Sequence, residues 1–229
     1  METDALLEVK GLSKYFPGVK ALDEVDFRLD YGSVHAVCGE NGAGKSTLMN
    51  ILMGLYQRDA GEIYIRGEPV AFLPPKQALI SGIAIIEQEL NPVPGMSVAE
   101  NMFLGREDTK FGLWMDYKKL EKRASEVLQE LGVKIDPWTK MKQLSLAQVQ
   151  LVEIAKAISY DSEIIIMDEP TSAIAERDAA RLFELIEALK AKGKGIIYVS
   201  HRMKEIFSIS DTVSVLRDGK YIGSRATED

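Results

Sequence analysis

A phosphate-binding loop constrains the fold of this chain more than any other stretch of its sequence. The string GENGAGKST at residues 39–47 places a glycine, four further residues and then Gly-Lys-Ser. The strand-like run VHAV at 34–37 precedes it, and KSTLMNILMG follows with a helical pattern in which Leu48, Leu52 and Leu55 share one face. Strand, glycine loop and helix in this order predict a site for phosphate groups at the helix N-terminus.

Bulk composition limits the class of protein. The chain has 229 residues and a net charge of −7, so it lacks the basic field of a nucleic-acid binder. No apolar run is close to the length of about 20 residues that crosses a bilayer. The acidic start METDALLEVK lacks the layout of a secretory signal. Cys38 is the only cysteine, which excludes an internal disulfide and fits a reducing cytosol. We therefore expect a soluble, cytosolic protein without a nucleic-acid partner.

Apolar strands alternate with helices along most of the chain. The runs IAIIEQ (83–88), IIIMDEP (164–170) and GIIYVSH (195–201) read as buried strands, and a helix is predicted over 176–191. This alternation predicts an α/β fold with a mostly parallel core sheet flanked by helices. Residues 6–37 are rich in branched and aromatic residues broken by turn signals, which predicts an N-terminal antiparallel β subdomain.

Residues from about 91 to 160 have a different, helical character. Leu120, Ala124 and Leu128 lie on one face of an amphipathic helix that Gly132 ends. We interpret this stretch as a helical lobe inserted in the core.

The glycine loop carries the first candidate site residues. Gly39, Gly42 and Gly44 let the backbone turn its N–H groups toward phosphate oxygens. Lys45 would reach the β- and γ-phosphates, and Ser46 would offer its hydroxyl to Mg²⁺. The alternative is a tight turn that binds nothing, which the flanking strand and helix disfavour.

Two adjacent acids follow a buried strand in IIIMDEP. Burying carboxylates without partners is costly, so their position needs a reason. We expect Asp168 to hold Mg²⁺, and Glu169 to orient and polarise an attacking water. A helix N-terminus would favour either acid alone but does not explain both.

Other polar residues at strand ends allow two interpretations each. His201 follows IIYVS and is placed to donate to a γ-phosphate, although a histidine at a strand end is more often structural. Gln88 ends IAIIEQ and is placed for Mg²⁺ and the attacking water, although it also reads as an ordinary loop residue. We expect His35 to be packed inside a strand and Cys38 to be a small core residue.

The string LSLAQVQLVEIAKAI at 144–158 provides the context in which these residues can be interpreted together. Ser145 and Gln148 form a predicted capping box at the start of an amphipathic helix. The same string, some way before IIIMDEPTSA, resembles the signature of ATP-binding cassette (ABC) ATPases, and the order of motifs matches along essentially the whole chain. HAVCGENGAGKST with QVQLVEIAKAI resembles more narrowly the ATPase of bacterial monosaccharide importers of the ribose, galactose and xylose type.

The resemblance implies an overall organisation. Residues 1–229 would be a single P-loop ATPase domain with the helical lobe at about 91–160 inserted in a RecA-like core. Importer ATPases of this type usually carry two cassettes in tandem, so the chain is expected to be the first half of a longer protein.

The resemblance also implies site residues and the ligands ATP and Mg²⁺. Phe16, or the adjacent Tyr15, would stack on adenine. Glu169, His201, Gln88 and Lys45 would take part in hydrolysis, and Ser46, Gln88 and Asp168 would hold the metal. The phosphates would be held by Gly39, Glu40, Asn41, Gly42, Ala43, Gly44, Lys45, Ser46 and Thr47. A trans contact to ATP on the opposite cassette would be made by Leu144, Ser145, Ala147 and Gln148.

The implied function is a motor domain that couples ATP hydrolysis to monosaccharide uptake. Its implied partners are a second cassette, membrane permease subunits and an upstream sugar-binding protein. The chain itself would lie at the cytoplasmic side of the cell membrane. Ala147, where the signature usually has glycine, and Ala175, where many cassettes have aspartate, depart from the pattern. The alternatives are a nucleotide-holding cassette with little hydrolysis and a non-transport ABC ATPase.

Overall fold

A computed structural model describes residues 5–71, 74–88, 90–110, 114–172 and 176–227. Ala175 therefore lies outside the described residues. A 3-10 turn spans Met141–Gln143. The strands are β1 (Ala5–Phe16), β2 (Val19–Asp30), β3 (Val34–Cys38), β4 (Ala60–Ile65), β5 (Glu68–Pro69), β6 (Ile83–Ile86), β7 (Thr109–Lys110), β8 (Trp114–Met115), β9 (Ile164–Asp168), β10 (Gly195–Val199), β11 (Thr212–Arg217) and β12 (Lys220–Ala226). The helices are α1 (Lys45–Leu52), α2 (Pro75–Ile80), α3 (Val98–Met102), α4 (Tyr117–Glu130), α5 (Leu146–Ile158), α6 (Glu176–Ala191) and α7 (Met203–Ile209).

Residue contacts divide the chain into two units, and the first comprises Met1–Ile85, Ser162–Glu169 and Ile186–Asp229. Its N-terminal part is an antiparallel sheet in the order β2-β1-β4-β5. A six-stranded sheet runs in the order β12-β11-β3-β10-β9-β6, with parallel pairing from β11 through β3 and β10 to β9. The predicted mostly parallel sheet and antiparallel β subdomain are confirmed.

The central strands owe their place to composition. Every residue of β3 and β10 is buried, as expected for strands that are covered on both faces. Side chains of both sheets and of α1 share one apolar cluster, which includes Leu6, Phe27, Val37, Leu48 and Ile166. The cluster fixes the strand ends from which the candidate site residues emerge.

The helix after the glycine loop ends earlier than its apolar pattern predicts. Leu48 and Leu52 are buried in α1, but Leu55 lies beyond the helix and is 51% exposed, so the prediction that all three share one helix face is wrong for Leu55. α1 ends at Leu52, and Gly54 follows with φ 73°, a left-handed conformation that commonly stops helices. The N–H of Leu55 then donates to Asn50 O at 2.8 Å, outside the helical register.

The second unit comprises Ile86–Asp161 and Pro170–Leu185. It contains α3, α4 and α5, and the hairpin of β7 and β8. Leu120, Ala124 and Leu128 of α4 are buried in its own apolar cluster, as their spacing predicts. Within the described ranges, no helix combines the length and apolar character needed to cross a bilayer.

Candidate functional site

The carboxyl ends of three neighbouring strands lie level at one edge of the six-stranded sheet. Val199 of β10 pairs with Val37 of β3 on one side and with Asp168 of β9 on the other. The chain leaves each strand at these residues or one residue later. The glycine loop, Glu169 and His201 therefore emerge side by side, where parallel sheets commonly bind ligands.

Glycine is required at two positions of the loop because neighbouring backbone leaves no room for a side chain. A Cβ on Gly39 would lie 2.3 Å from Leu216 O, and one on Gly44 would lie 2.6 Å from Ala21 O. Both residues also have positive φ, 154° and 103°, which glycine adopts without penalty. The spacing of the motif therefore reflects close approach of the loop to β11 and β2.

The N-terminus of α1 presents hydrogen-bond donors that its own residues do not cap. Gly44 precedes the helix and provides no side-chain cap, and the first N–H groups of a helix have no intrahelical acceptor. Lys45 is 8% exposed, and its Nζ donates to the carbonyls of Gly39 at 2.7 Å and Glu40 at 3.0 Å. An ammonium, a helix N-terminus and a glycine loop form a donor set that fits phosphate oxygens.

The metal ligands predicted in this unit are one hydroxyl and one carboxylate. Ser46 is the second residue of α1 and is exposed, and Asp168 closes β9 and is half-buried. In the part of the chain that the structure describes, no three His, Cys, Asp or Glu side chains cluster to hold a metal. The hydroxyl of Ser46 and the carboxylate of Asp168 are oxygen ligands of the kind that a hard cation such as Mg²⁺ prefers, with its other ligands from phosphate and water.

Glu169 and His201 are in direct contact. His201 Nδ1 lies 2.9 Å from Glu169 Oε1, and the two side chains are 63% and 18% exposed. Glu169 has a φ of 45°, unusual for a residue with a side chain, and its N–H donates to Val199 O at 2.9 Å. The last ladder position of β10 thus fixes the backbone of Glu169 in a conformation that is typical of functional sites.

The aromatic residues predicted for adenine lie at the tip of the β1–β2 hairpin. Tyr15 pairs with Lys20 and Phe16 with Val19, so the two rings alternate across the sheet. Phe16 packs on Tyr56 with ring centroids 5.4 Å apart and an interplanar angle of 76°. Tyr56 was not predicted as a site residue, because its contact with Phe16 arises only from tertiary packing.

Asp59 fixes the backbone of the same hairpin. Its carboxylate accepts from Tyr15 N at 2.6 Å and from Lys14 Nζ at 3.1 Å. The bond from the Tyr15 N–H, with that from Lys14, lowers the pKa of Asp59. The segment that follows α1 thus holds the aromatic tip through two residues, Tyr56 and Asp59.

His35 and Cys38 are packed in β3 as predicted. His35 Nδ1 lies 2.6 Å from Arg28 O, so it donates, and Nε2 lies 2.7 Å from Ser214 Oγ. Burial lowers the pKa of His35 to about 4, with the Arg28 carbonyl opposing that shift. Burial also raises the pKa of the Cys38 thiol, which disfavours a reactive thiolate.

The signature residues lie in the second unit at the start of α5. Ser145 Oγ accepts from Gln148 N at 3.3 Å, and Gln148 Oε1 accepts from Ser145 N at 2.9 Å, which confirms the capping box. Leu144 precedes the box, and Ala147 occupies the second helical position with a half-buried methyl group.

A cavity of about 470 Å³ opens beside this helix start. Its lining includes Ser145, Ala147 and Gln148 together with the cationic Lys134 and Arg181, and no Asp or Glu is among the lining residues that the structure describes. In a protein of net charge −7, this region is suited to an anion.

Gln88 is the remaining predicted site residue. It is exposed, follows β6 and belongs to the second unit, whereas the glycine loop, Asp168, Glu169 and His201 belong to the first. Its role in hydrolysis stays a prediction.

Comparison with known proteins finds similar sequences along nearly the whole chain. The family model described as ABC transporter matches residues 22–172. A ribose/galactose/methyl galactoside import ATP-binding protein of Burkholderia cenocepacia (strain HI2424) is 52% identical over 227 residues, which are 99% of this chain and 43% of that protein. A protein of the same description from Halalkalibacterium halodurans is 56% identical over 221 residues, 96% of this chain and 42% of that protein. The chain thus spans less than half the length of these relatives.

Solved structures give the same picture at lower identity. The ADP conformation of an ATP-binding cassette of an ABC transporter superposes with a TM-score of 0.87 at 28% identity, covering 97% of this chain and 91% of that one. A dimeric cassette in a post-hydrolysis state, bound to ADP and phosphate, superposes with a TM-score of 0.81 at 26% identity, covering 96% and 98%.

Proposed function

The chain belongs to the ABC transporter family, and on that premise we propose that it is an ATP-hydrolysing motor domain of a monosaccharide importer. The observation that carries the proposal is the contact of Glu169 with His201, at 2.9 Å, on the sheet edge from which the glycine loop also emerges. The proposal assigns a phosphate site, a general base and its partner to these adjacent strand ends. Nucleotide-holding cassettes do not need the last two.

The triphosphate would lie on the N-terminus of α1. Residues 39–47 would direct backbone N–H groups at its oxygens, and Lys45 would exchange the carbonyls of Gly39 and Glu40 for the β- and γ-phosphates. Mg²⁺, held by Ser46 and Asp168, supplies neutralisation of the phosphate charge when bound. Phe16 would stack on the base, since its orientation is set by Tyr56.

Hydrolysis would proceed by attack of water on the γ-phosphorus. Glu169 would accept a proton from the water as the new P–O bond forms, and the bond to the β-phosphate oxygen would break. His201 contacts Glu169 and would donate a hydrogen bond to the γ-phosphate. Most of the rate enhancement would come from positioning and charge stabilisation.

The second unit would act on a partner cassette. Leu144, Ser145, Ala147 and Gln148 would approach ATP that is held by the opposite cassette, and Gln88 would couple the γ-phosphate site to the permease. A similar solved cassette is a dimer with ADP and phosphate, which supports this arrangement. Relatives more than twice as long leave room for a second cassette in the same polypeptide.

The relatives' descriptions support the proposed substrate class. Both sequence relatives are described as ribose/galactose/methyl galactoside import ATP-binding proteins. We therefore propose sugar permease subunits as membrane partners, an upstream sugar-binding protein, and a peripheral position on the cytoplasmic side of the membrane.

Steady-state phosphate release from MgATP, together with nucleotide affinity, tests the proposal. We expect the wild type to hydrolyse ATP slowly and Glu169→Gln to bind ATP, dimerise and lose roughly 100-fold in rate. Glu163→Gln is the matched control, because Glu163 lies at the opposite end of β9 and pairs with Arg66. A wild type that binds ATP yet stays as inert as Glu169→Gln, even with the second cassette added, would refute hydrolysis and support a nucleotide-holding cassette.

A further inference from the structure

The connection from β10 to α7, which carries His201, is braced by a carboxylate. Tyr198 is fully buried in β10, and its hydroxyl donates to Glu205 Oε2 at 2.9 Å. Arg202 NH1 donates to the other oxygen, Oε1, at 3.0 Å. Glu205 therefore connects the end of strand β10 to the first turn of helix α7.

The residues on both sides of His201 belong to the same network. The N–H of Arg202 donates to Ser200 Oγ at 3.0 Å, and Ser200 Oγ lies 3.5 Å from Glu205 Oε2. Ser200 is 2% exposed, whereas the His201 side chain is 63% exposed. The imidazole is thus an exposed group on a fixed backbone, and its contact with Glu169 depends on where that backbone stands.

A favourable charge at a helix start does not explain the position of Glu205. An acid in the first turn of α7 would interact with the helix dipole while remaining in water. The Glu205 side chain is only 12% exposed, and both oxygens turn back toward β10 and Arg202. Burial of a carboxylate is unfavourable unless it is paired. The hydrogen bonds from Tyr198 and Arg202 offset that cost for Glu205.

We propose that Glu205 is a positioning residue that holds His201 against Glu169. It acts through the side chains of Ser200 and Arg202, and through the Arg202 N–H that donates to Ser200 Oγ. In this role it touches neither the triphosphate nor the water. Its effect on hydrolysis rests on the proposed function, but its effect on the Glu169–His201 contact does not.

The two histidines of the chain allow a direct test. In histidine-labelled protein, NMR would show the ring signals of His201 and His35, and the shift that Glu169→Gln causes at His201 reports their contact. We expect this shift to shrink about threefold or more in a Glu205→Ala background, and less in Glu205→Gln, which can still accept from Tyr198. Tyr198→Phe, which removes one hydroxyl, should shrink it as well.

Two controls separate positioning from general damage. Lys204→Ala changes an exposed neighbour on α7 and should leave the His201 shift unchanged. His35 signals should be the same in all variants, because His35 is buried between Arg28 and Ser214. If Glu205→Ala does not fold, Tyr198→Phe and Glu205→Gln decide the question.

Kinetics provide the second readout. We expect Glu205→Ala to lower kcat about tenfold with KM for ATP within about twofold, because only the placement of His201 changes. An unchanged His201 response to Glu169→Gln in the Glu205 and Tyr198 variants would overturn the inference. A wild type without hydrolysis would instead refute the proposed function, and the NMR result would still stand.

Discussion

Two helices begin at proposed phosphate sites and differ in whether a side chain caps their first N–H groups. In the first unit, α1 follows Gly44, which has a φ of 103° and offers no side-chain cap. In the second unit, α5 follows Ser145, which exchanges two hydrogen bonds with Gln148. The start of α1 is open to a ligand, whereas the start of α5 is closed by its own residues.

This difference indicates how the two sites depend on nucleotide. At α1, Lys45 bonds to the loop carbonyls, and a triphosphate would complete the unpaired donors of the helix. At α5, a phosphate must compete with a capping bond that already exists. We therefore expect α1 to bind nucleotide strongly within one chain, and α5 to bind it weakly until a second cassette presents it at high local concentration.

Gly44→Ala should break the open helix start most severely. Its Cβ would lie 2.6 Å from Ala21 O and 2.8 Å from Leu22 Cδ2, at a positive φ. We expect the free energy of unfolding in urea to fall by about 3 kcal/mol, with loss of nucleotide binding. Gly42→Ala is the control, because φ is 82° but no atom beyond residue 42 and its two chain neighbours would lie within 4 Å of the added Cβ. That change should cost about 1 kcal/mol, and equal losses at both positions would contradict the steric explanation.

Lys45→Ala tests the charge of the open site rather than its shape. Charge-assisted bonds to phosphate are strong, so we expect MgATP affinity to fall about 100-fold, which is about 2.7 kcal/mol, by isothermal titration calorimetry. The unliganded protein should lose only about 1 kcal/mol of stability, because two bonds to loop carbonyls disappear. Lys118→Ala, on an exposed face of α4, should change neither quantity. Unchanged affinity in Lys45→Ala would place the triphosphate elsewhere.

Features contained within a few residues were predictable from the sequence. The Ser145–Gln148 capping box spans four residues, and the Asp218–Gly219 turn joins β11 to β12 with positive φ at both residues. The wrong prediction for Leu55 has a local cause as well. Periodicity alone extends α1 by a turn, but Gly54 in a left-handed conformation stops it.

Features that depend on tertiary packing were not predictable. Tyr56 and Asp59 belong to no motif, and they meet the tip of β1 only because β1 pairs with β4 after the turn. Glu205 reads as an ordinary helix-start acid until the fold brings the hydroxyl of Tyr198 to it. Strand order explains why the glycine loop, Glu169 and His201 meet, since the sequence predicts three strand ends but not their neighbours.

Ser145→Asp and Ser145→Ala test whether the closed helix start also faces a ligand. Aspartate caps helices as well as serine, so its stability should stay within about 0.5 kcal/mol, whereas alanine should lose about 1 kcal/mol. Hydrolysis in the two-cassette assembly should fall in both, and further in Ser145→Asp, because its charge repels phosphate. Ser97→Ala removes the corresponding cap of α3 and should lower stability without this loss of rate. Full activity in Ser145→Asp would exclude a phosphate contact.

Ala147→Gly should change stability and hydrolysis least, and whether it raises or lowers the hydrolysis rate is informative. Ala147 is the second residue of α5, where glycine should lower stability by about 0.5 kcal/mol. If the methyl group keeps phosphate away from a backbone that is already capped, its removal should raise the hydrolysis rate of the assembly about twofold or more.

Ala155→Gly, at a fully buried position of the same helix, separates the effect of glycine on helix stability from its effect on the access of phosphate. It should lower stability by about 1 kcal/mol and leave the rate unchanged, because it alters the helix but not its start. If Ala147→Gly raises the hydrolysis rate and Ala155→Gly leaves it unchanged, the methyl group of Ala147 restricts the access of phosphate to the start of α5. A slower Ala147→Gly would mean that the methyl group packs in the trans contact, and that α5 binds by surface complementarity where α1 binds through open donors.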